Sequence, residues 1–553
     1  MNPVTKKPVL LKLRSIVLVL SVFATLVPTL FAAGGRKPKL IVVVVIDQFR
    51  GDYLERFRDK FGLDGIRMLM DRGAWFTECY YNYANLQTAP GHATIGTGAY
   101  SNGHGIAGND WYDAARDEQV TSVFDANTTL VGQGGNGPGA SPHNLQADTF
   151  GDELRLFSKG ASRVFAVSLK DRSAILPAGY SANAAYWIDK YTGGIQTSSY
   201  YMKELPAWAQ KFNSDKHAEK YWEQDWKDEK GNVLRKTAHP TGGANLGFYD
   251  IVGATPYAND YEFEFTRELV QQEKLGQGEA TDVLLVSVSA FDILGHQVGP
   301  DSPQLEDMAI KLDRQLANFW AFLGKQIGLA DVWIALTADH GITYMPDTVT
   351  PLKIPALRHN GELDFGPLNL AISKKFPKLA ANEYIKGIHF PYVYLSKERF
   401  DAAGVKDEQK AEQMVGEELM KLPGVREYFT RAQIARGDFR HDEMGERIAH
   451  SYTSITTWYV QVRFAPFVTD YKSDVSHGAA YSYDQHVPLM FFGLPFQAGI
   501  YRNTVEPVDL AVTITSLMGT NKPTSAVGRS LVEAITPQYR KADAGEASGK
   551  EKK

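Results

Sequence analysis

The sequence predicts an α/β fold around a mostly parallel sheet, on three observations. Leu40-Ile41-Val42-Val43-Val44-Val45-Ile46 is an unbroken, largely β-branched run, as expected of a strand buried on both faces. Residues 164–169, 283–288 and 332–336 form runs of the same kind. Helical patterns separate them, and strands alternating with helices imply a sheet covered by helices on both faces.

The chain divides as follows. Lys6, Lys7, Lys12 and Arg14 precede an apolar run from Ile16 to Phe31 that ends in Ala32-Ala33-Gly34-Gly35. A basic start, an apolar middle and a small-residue exit read as a cleaved secretory signal peptide over residues 1–33. Pro28 near the end of the run argues against a retained membrane anchor. The only cysteine, Cys79, leaves no internal disulfide and no lipidation site after the signal, so the exported chain is held by its core. The expected location is the periplasm, with one catalytic domain over residues 34–540 and a disordered Lys-, Glu-, Ala- and Gly-rich tail over 541–553. Charged residues make up 22% of the 553, aromatics 12%, and the net charge is -5, so no basic excess points to nucleic acid.

The first run stops at Asp47. Thr88-Ala89-Pro90-Gly91-His92-Ala93-Thr94 reads as a helix start, with Thr88 as N-cap and Pro90 in the first turn. Such an end presents unpaired N–H groups and a partial positive charge, which suit a phosphate. Gly132-Gln133-Gly134-Gly135-Asn136-Gly137 matches a dinucleotide fingerprint in letters only: Pro138, Gly139 and Pro142 follow where a helix is needed, so it reads as a flexible loop. Ser141-Pro142 opens a helix carrying Leu145, Phe150 and Leu154, and Ser302-Pro303 opens a longer one carrying Leu305, Met308, Leu312, Leu316, Phe319 and Leu323. Residues from about 180 to 275 and from about 345 to 475 break the alternation and read as insertions forming a lid or cap.

In open α/β sheets ligands sit beyond the carboxyl ends of the strands. Asp47 ends the first run, Asp292 and His296 follow the third, and Asp339-His340-Gly341 follows the fourth. Carboxylates packed that closely repel one another unless a cation neutralises them. Asp292 and His296, four apart, share a face on a helical turn. Asp339 and His340 are neighbours, so they serve one ion only if the chain leaves the strand there, which Gly341 permits. His486, preceding the apolar run 489–492, is the remaining ligand candidate if that run is an antiparallel strand at the same edge; His477 is a second possibility, read as a surface or supporting histidine. Aspartate and histidine without cysteine suit catalytic zinc, with manganese or iron as alternatives. These residues are too many for one ion and suit two, roughly 3.5–4 Å apart. A metal that lowers the pKa of a bound oxygen by roughly 8 or 9 units would also turn Thr88 into a nucleophile.

Together, Asp47, Thr88-Ala89-Pro90-Gly91-His92, Asn109-Asp110-Trp111-Tyr112, Lys170-Asp171-Arg172, Asp292 with His296, Thr337-Ala338-Asp339-His340-Gly341 and Asp484-Gln485-His486-Val487-Pro488 resemble the alkaline phosphatase superfamily, and within it the bacterial threonine-nucleophile, phosphate-insensitive (PafA-type) branch. The resemblance spans nearly the whole mature chain and implies an alkaline-phosphatase-like, mostly parallel sheet sandwiched by helices, with inserted cap segments. It implies one zinc on Asp292, His296 and His486, and another on Asp47, Asp339, His340 and the Thr88 oxygen. Asn109, Lys170 and Arg172 would hold the phosphoryl oxygens. Lys170 and Arg172, if they continue the second strand, point to one face, and two cations favour a dianionic monoester over a diester. The expected activity is a two-zinc phosphomonoesterase acting as a monomer on small-molecule phosphate monoesters through a phosphothreonine. A phosphodiesterase or nucleotide pyrophosphatase of the same superfamily, or a non-catalytic zinc- and phosphate-binding protein, are the alternatives. A sulfatase does not fit, because Glu78-Cys79-Tyr80-Tyr81 lacks the proline and arginine that such enzymes need beside their cysteine.

Overall fold

The computed structural model describes residues 36–133, 137–240, 246–359, 365–376, 383–454, 456–469 and 475–540. The expected signal peptide, the 541–553 tail and the centre of the Gly132–Gly137 loop lie outside these residues. Among the described residues no helix is long and apolar enough to cross a membrane.

The strands of the central sheet are, in chain order, β1 (Leu40–Ile46), β2 (Ala74–Phe76), β3 (Phe124–Gly132), β4 (Pro138–Ala140), β5 (Val164–Ser168), β6 (Ala184–Ile188), β7 (Ile195–Ser198), β8 (Asp282–Val288), β9 (Val332–Thr337), β10 (Leu489–Phe492) and β11 (Gly499–Tyr501). They lie in the order β11-β2-β10-β9-β1-β8-β5-β6-β7-β3-β4. Every side chain of β1 is buried, and β8 and β9 flank it in parallel, as expected of a central strand covered on both faces. Fully burying one such aliphatic side chain contributes about 1.5–3 kcal/mol. The parallel strands run in step: Ile46 pairs with Val288, Val45 with Thr337, and Ser287 with Ser168. Four chain segments therefore leave the sheet side by side at one edge.

The helices that matter here are α1 (Thr88–Thr97), α2 (Phe150–Phe157), α3 (Asp171–Ala178), α4 (Pro256–Gln272), α5 (Ala290–Val298) and α6 (Pro303–Gln326). The expected start of α6 holds, with Ser302 Oγ accepting the Leu305 N–H at 3.1 Å. The other Ser-Pro pair opens only a short 3-10 turn, Pro142–Asn144. α2 instead begins at Phe150, where Thr149 and Asp152 form a reciprocal capping box.

The stretch from about 180 to 275 is not wholly a cap. β6 and β7 extend the central sheet, and α4 packs on α6 with Phe263 and Phe319 ring centroids 5.2 Å apart. Its strands are short and carry Tyr186, Trp187 and Gln196, so they lack the aliphatic runs of the centre. The later insertion is a unit with its own core. Its four-stranded antiparallel sheet runs Ile385–His389, Tyr392–Leu395, Tyr459–Phe464, Val425–Thr430, and the helix Glu408–Leu419 covers one face through Val415 and Leu419.

On that helix Glu412 is buried and accepts the Ala432 N–H at 3.0 Å. Burial, reinforced by Glu408 and opposed by that N–H, pushes its carboxyl up to about 8. The folded unit holds this proton more tightly than the unfolded chain, so its stability falls as pH rises from the ordinary glutamate range toward that value. Hydrogen exchange at the Ala432 amide is expected to quicken, beyond the intrinsic pH effect, between pH 4.5 and about pH 8 and to level off above it. Glu412→Gln is expected to abolish that excess; an unchanged profile in the variant would contradict the assignment.

Candidate active site

β1 ends where the Asp47 N–H donates to Val288 O at 3.1 Å, and Gln48 then turns the chain with a left-handed φ of 65°. That turn aims the Gln48 N–H at Asp339 Oδ1 (3.0 Å), while its side-chain Nε2 donates to Asp292 Oδ1 (2.7 Å). One buried residue thus ties together acids that follow two different strands. Gly295 makes room for it, since a Cβ there would lie 2.0 Å from Gln48 Oε1. The sequence reading missed Gln48: a glutamine after a strand has no signature, and only its backbone conformation marks it.

Two groups of donor atoms form around this turn, the atoms of each within 4.8 Å of one another: Asp292, His296 and His477, and Asp47, Asp339 and His340. Asp292 and His296 lie one turn apart on α5, with Nε2 to Oδ1 at 3.1 Å. His477 Nε2 stands 3.7 Å from the same oxygen. His340 Nε2 is 3.6 Å from both Asp47 Oδ1 and Asp339 Oδ2. The expected departure from the strand occurs: β9 ends at Thr337, and Gly341 passes so close to Tyr483 that a Cβ would meet its carbonyl oxygen at 2.2 Å. In each of the three histidines Nδ1 faces a backbone carbonyl: Val475 O for His296 (3.1 Å), Leu86 O for His477 (2.8 Å) and Gly341 O for His340 (2.9 Å). A carbonyl only accepts, so Nδ1 carries a proton and Nε2 is the ring atom turned toward the acids.

His486 is not among them. β10 is antiparallel to β9 as expected, but His486 Nε2 faces Thr77 O (2.8 Å) and its ring stacks on Tyr80 at 4.6 Å. A local bridge between Tyr80 and His486 turns the side chain away, and His477 stands in the place expected of it. The Asp484-Gln485-His486 segment acts as a support instead. Asp484 Oδ2 accepts the Ala479 N–H (2.8 Å) beside His477, and its carbonyl accepts the Gly341 N–H (2.7 Å) beside His340.

Thr88 is the first residue of α1 and not its N-cap; Gln87 holds that place without a side-chain cap. Asn109 Oδ1 instead accepts the Ala89 N–H at 2.9 Å. The Thr88 hydroxyl is therefore not engaged in capping, and Lys170 Nζ lies 3.5 Å from it. The same ammonium is 2.7 Å from Asp47 Oδ2 and 2.6 Å from Asp292 Oδ2, between the two groups. His92 joins α1 to the acids, with Nδ1 2.8 Å from Thr88 O and 3.2 Å from Asp339 Oδ2, and Nε2 2.6 Å from Ser287 Oγ. Lys170 and Arg172 do not continue the strand: β5 ends at Ser168, Lys170 is the N-cap of α3 and Arg172 lies in its first turn. The Arg172 guanidinium is 25% exposed and 3.8 Å from Asp171, though its charge is felt at Lys170.

Charge is unevenly shared here. Burial, then the Asp339 charge, push the Asp47 carboxyl well above the usual range despite Lys170. Burial also opposes ionisation of Asp292, but Lys170 and His296 hold it well below that range. Burial is outweighed at Lys170 too, where Asp292 and Asp47 raise the ammonium. His477 is kept neutral by burial, then by His340 and His296. Asp47 Oδ1, Asp339 Oδ2 and His340 Nε2 are buried and make no hydrogen bond. An oxygen and nitrogen donor set of this kind, short of positive charge, fits a divalent cation.

Residues 41–432 match the family described as type I phosphodiesterase / nucleotide pyrophosphatase. Alkaline phosphatase PhoV of Synechococcus elongatus is 32% identical over 92% of this chain and 95% of its own length. Alkaline phosphatase PafA of Elizabethkingia meningoseptica is 30% identical over 90% of this chain and 95% of its own. The crystal structure of wild-type PafA superposes with a TM-score of 0.81 at 28% identity, covering 91% of this chain and 99% of that one.

Gln48→Leu keeps most of the volume and removes the bond to Asp292. It is expected to weaken divalent-ion binding roughly ten- to a hundredfold, as loss of a partner to a metal ligand does elsewhere. Competition against a chromogenic chelator checks this, and unchanged affinity would remove Gln48 from the site's support.

Proposed function

The chain belongs to the type I phosphodiesterase / nucleotide pyrophosphatase family and stands with its alkaline phosphatases, and from that premise we propose that it is a two-zinc phosphomonoesterase with Thr88 as nucleophile. The observation that carries this reading is a buried threonine hydroxyl, free of its helix, with the Lys170 ammonium 3.5 Å away between the two donor groups.

In this reading Asp47, Asp339, His340 and the Thr88 oxygen hold one zinc, and Asp292, His296 and His477 the other. When bound, the metals lower the pKa of hydroxyl and water and offset charge on the attacking and leaving oxygens. The residues do the rest. Thr88 Oγ1 forms a bond to phosphorus as the bond from phosphorus to the alcohol oxygen breaks, and water then releases phosphate from the phosphothreonine. His92 steadies both the Thr88 carbonyl and Asp339, so the nucleophile and its acid keep one geometry. Lys170 and the Asn109 amide, with Arg172 at longer range, receive the non-bridging oxygens, which favours the dianion of a monoester. The basic, apolar and small-residue pattern over 1–33 supports export to the periplasm, and we take the enzyme to act there as a monomer on small phosphate esters.

Thr88→Ala is expected to lower monoester turnover at least about a thousandfold. Activity within a few-fold of the parent would sink the nucleophile assignment. Chelation is expected to abolish turnover and zinc to restore it, with metal analysis giving about two ions per chain. The runner-up, a phosphodiesterase, is favoured by the description of the matched family. Lys170→Ala with Arg172→Ala separates the two: monoester turnover is expected to fall about a hundredfold and diester turnover about tenfold or less. Equal losses would favour the diesterase.

A further inference from the structure

Gln87 holds the N-cap place of α1, yet its side chain does not turn back on the helix as a serine, threonine or asparagine there would. Its Nε2 donates to the Phe390 carbonyl, and its Oε1 accepts the Asn109 N–H at 2.8 Å. Phe390 stands between the strands Ile385–His389 and Tyr392–Leu395 of the inserted sheet. One amide, placed directly before Thr88, therefore joins the inserted unit to Asn109. Bridging a carbonyl to an N–H takes a side chain with both a donor and an acceptor, which glutamine supplies at the necessary length.

Asn109 opens a hairpin of two strands, Asp110–Asp113 and Glu118–Thr121, in which Trp111 pairs with Val120 and both are buried. This hairpin docks on Ile385–His389, an edge strand of the inserted sheet. Gln119 Nε2 donates to Lys386 O at 3.0 Å, and Lys386 Nζ lies 2.8 Å from Asp117 Oδ1. Gly387 permits the approach, since a Cβ there would lie 2.1 Å from Gln119 Nε2. Asn109 itself is held at three atoms: its N–H by Gln87 (2.8 Å), its carbonyl by the Ser122 N–H (2.8 Å) and its Oδ1 by the Ala89 N–H (2.9 Å). Those three bonds fix the direction of Nδ2, the donor that a phosphoryl oxygen would meet.

We propose that Gln87 is a positioning residue for phosphoryl transfer: it fixes Asn109 against the inserted unit, which thereby serves as a brace for the phosphoryl-binding side of the site. A donor already in place when charge develops stabilises that charge more than one that must first be ordered. The assignment rests on the phosphomonoesterase reading above, in which Asn109 receives a non-bridging oxygen, and the test keeps the two apart.

The test measures kcat/KM for phenyl phosphate, and inhibition by vanadate, in the zinc-loaded parent, Gln87→Met, Asn109→Ala and the double variant. Asn109→Ala is expected to lower kcat/KM about a hundredfold and Gln87→Met about tenfold, with the double variant within about twofold of Asn109→Ala alone. Vanadate inhibition is expected to weaken in the same pattern. Hydrogen exchange at the Asn109 amide, which needs no turnover, is expected to quicken at least about tenfold in Gln87→Met. Unchanged zinc content verifies that the donor groups are intact. Gln119→Ala, an exposed change on the same hairpin, serves if Gln87→Met does not fold, and there the Asn109 amide is expected to exchange about threefold faster. Losses that simply add in the double variant, or an Asn109 amide as protected in the variants as in the parent, overturn the brace. Full activity in Asn109→Ala, with the Asn109 amide exposed in Gln87→Met, instead overturns the phosphoryl-binding role on which the proposal rests.

Discussion

The site depends on one electrostatic constraint: three buried carboxylates, Asp47, Asp292 and Asp339, meet at one sheet edge in a region of low dielectric. Like charges so placed destabilise one another unless cations stand among them. The chain supplies one, Lys170, whose ammonium reaches two of the three acids. Its single charge does not balance the set: Asp292 is held ionised while Asp47 is pushed toward its neutral form. The same imbalance makes the place attractive to divalent cations.

The sheet creates the constraint before any side chain acts. Because β1, β8, β9 and β5 run parallel and in step, their ends reach one edge together, and the residues that follow them cannot avoid one another. An antiparallel arrangement would send alternate ends to opposite edges. β1 is the residue run on which this rests, since it pairs on both sides and is buried throughout. Its β-branched side chains fix the sheet, and the sheet fixes where Asp47 stands.

That part of the molecule was legible in the sequence because it is encoded locally. A strand of unbroken aliphatics announces its burial, and an acid directly after it announces the edge. Asp292 and His296 were legible for a similar reason, since their spacing alone puts them on one helical face. His477 was not, because its place depends on a loop held from elsewhere: Asp484 takes the Ala479 N–H, and Leu86 O takes Nδ1 of the ring. His486, at the mouth of a strand with the expected direction, had the better local pattern but is claimed by Thr77 and Tyr80. Thr88 failed as a cap for a comparable reason. A residue some twenty positions on, Asn109, takes the N–H of Ala89, which no local pattern reveals. β6 and β7 escaped notice because an outer strand of a large sheet can be short and mixed in composition while still buried.

The contacts that sequence could not reveal share a physical logic: they fix donor atoms through the backbone. His296, His340 and His477 each turn Nδ1 to a carbonyl, so the direction of Nε2 is set by the fold. Gln48 adds a main-chain N–H to Asp339 and a side-chain amide to Asp292, at the expense of a left-handed conformation that glutamine rarely adopts. Strain of that kind persists only where surrounding contacts over-determine it, and here the neighbours are the acids themselves. Orientation achieved in this way needs no rearrangement when charge develops during a reaction, which is the condition under which fixed dipoles stabilise a transition state most. The packing that excluded these residues from a local reading of the sequence is thus the same packing that makes the edge of the sheet a reactive place.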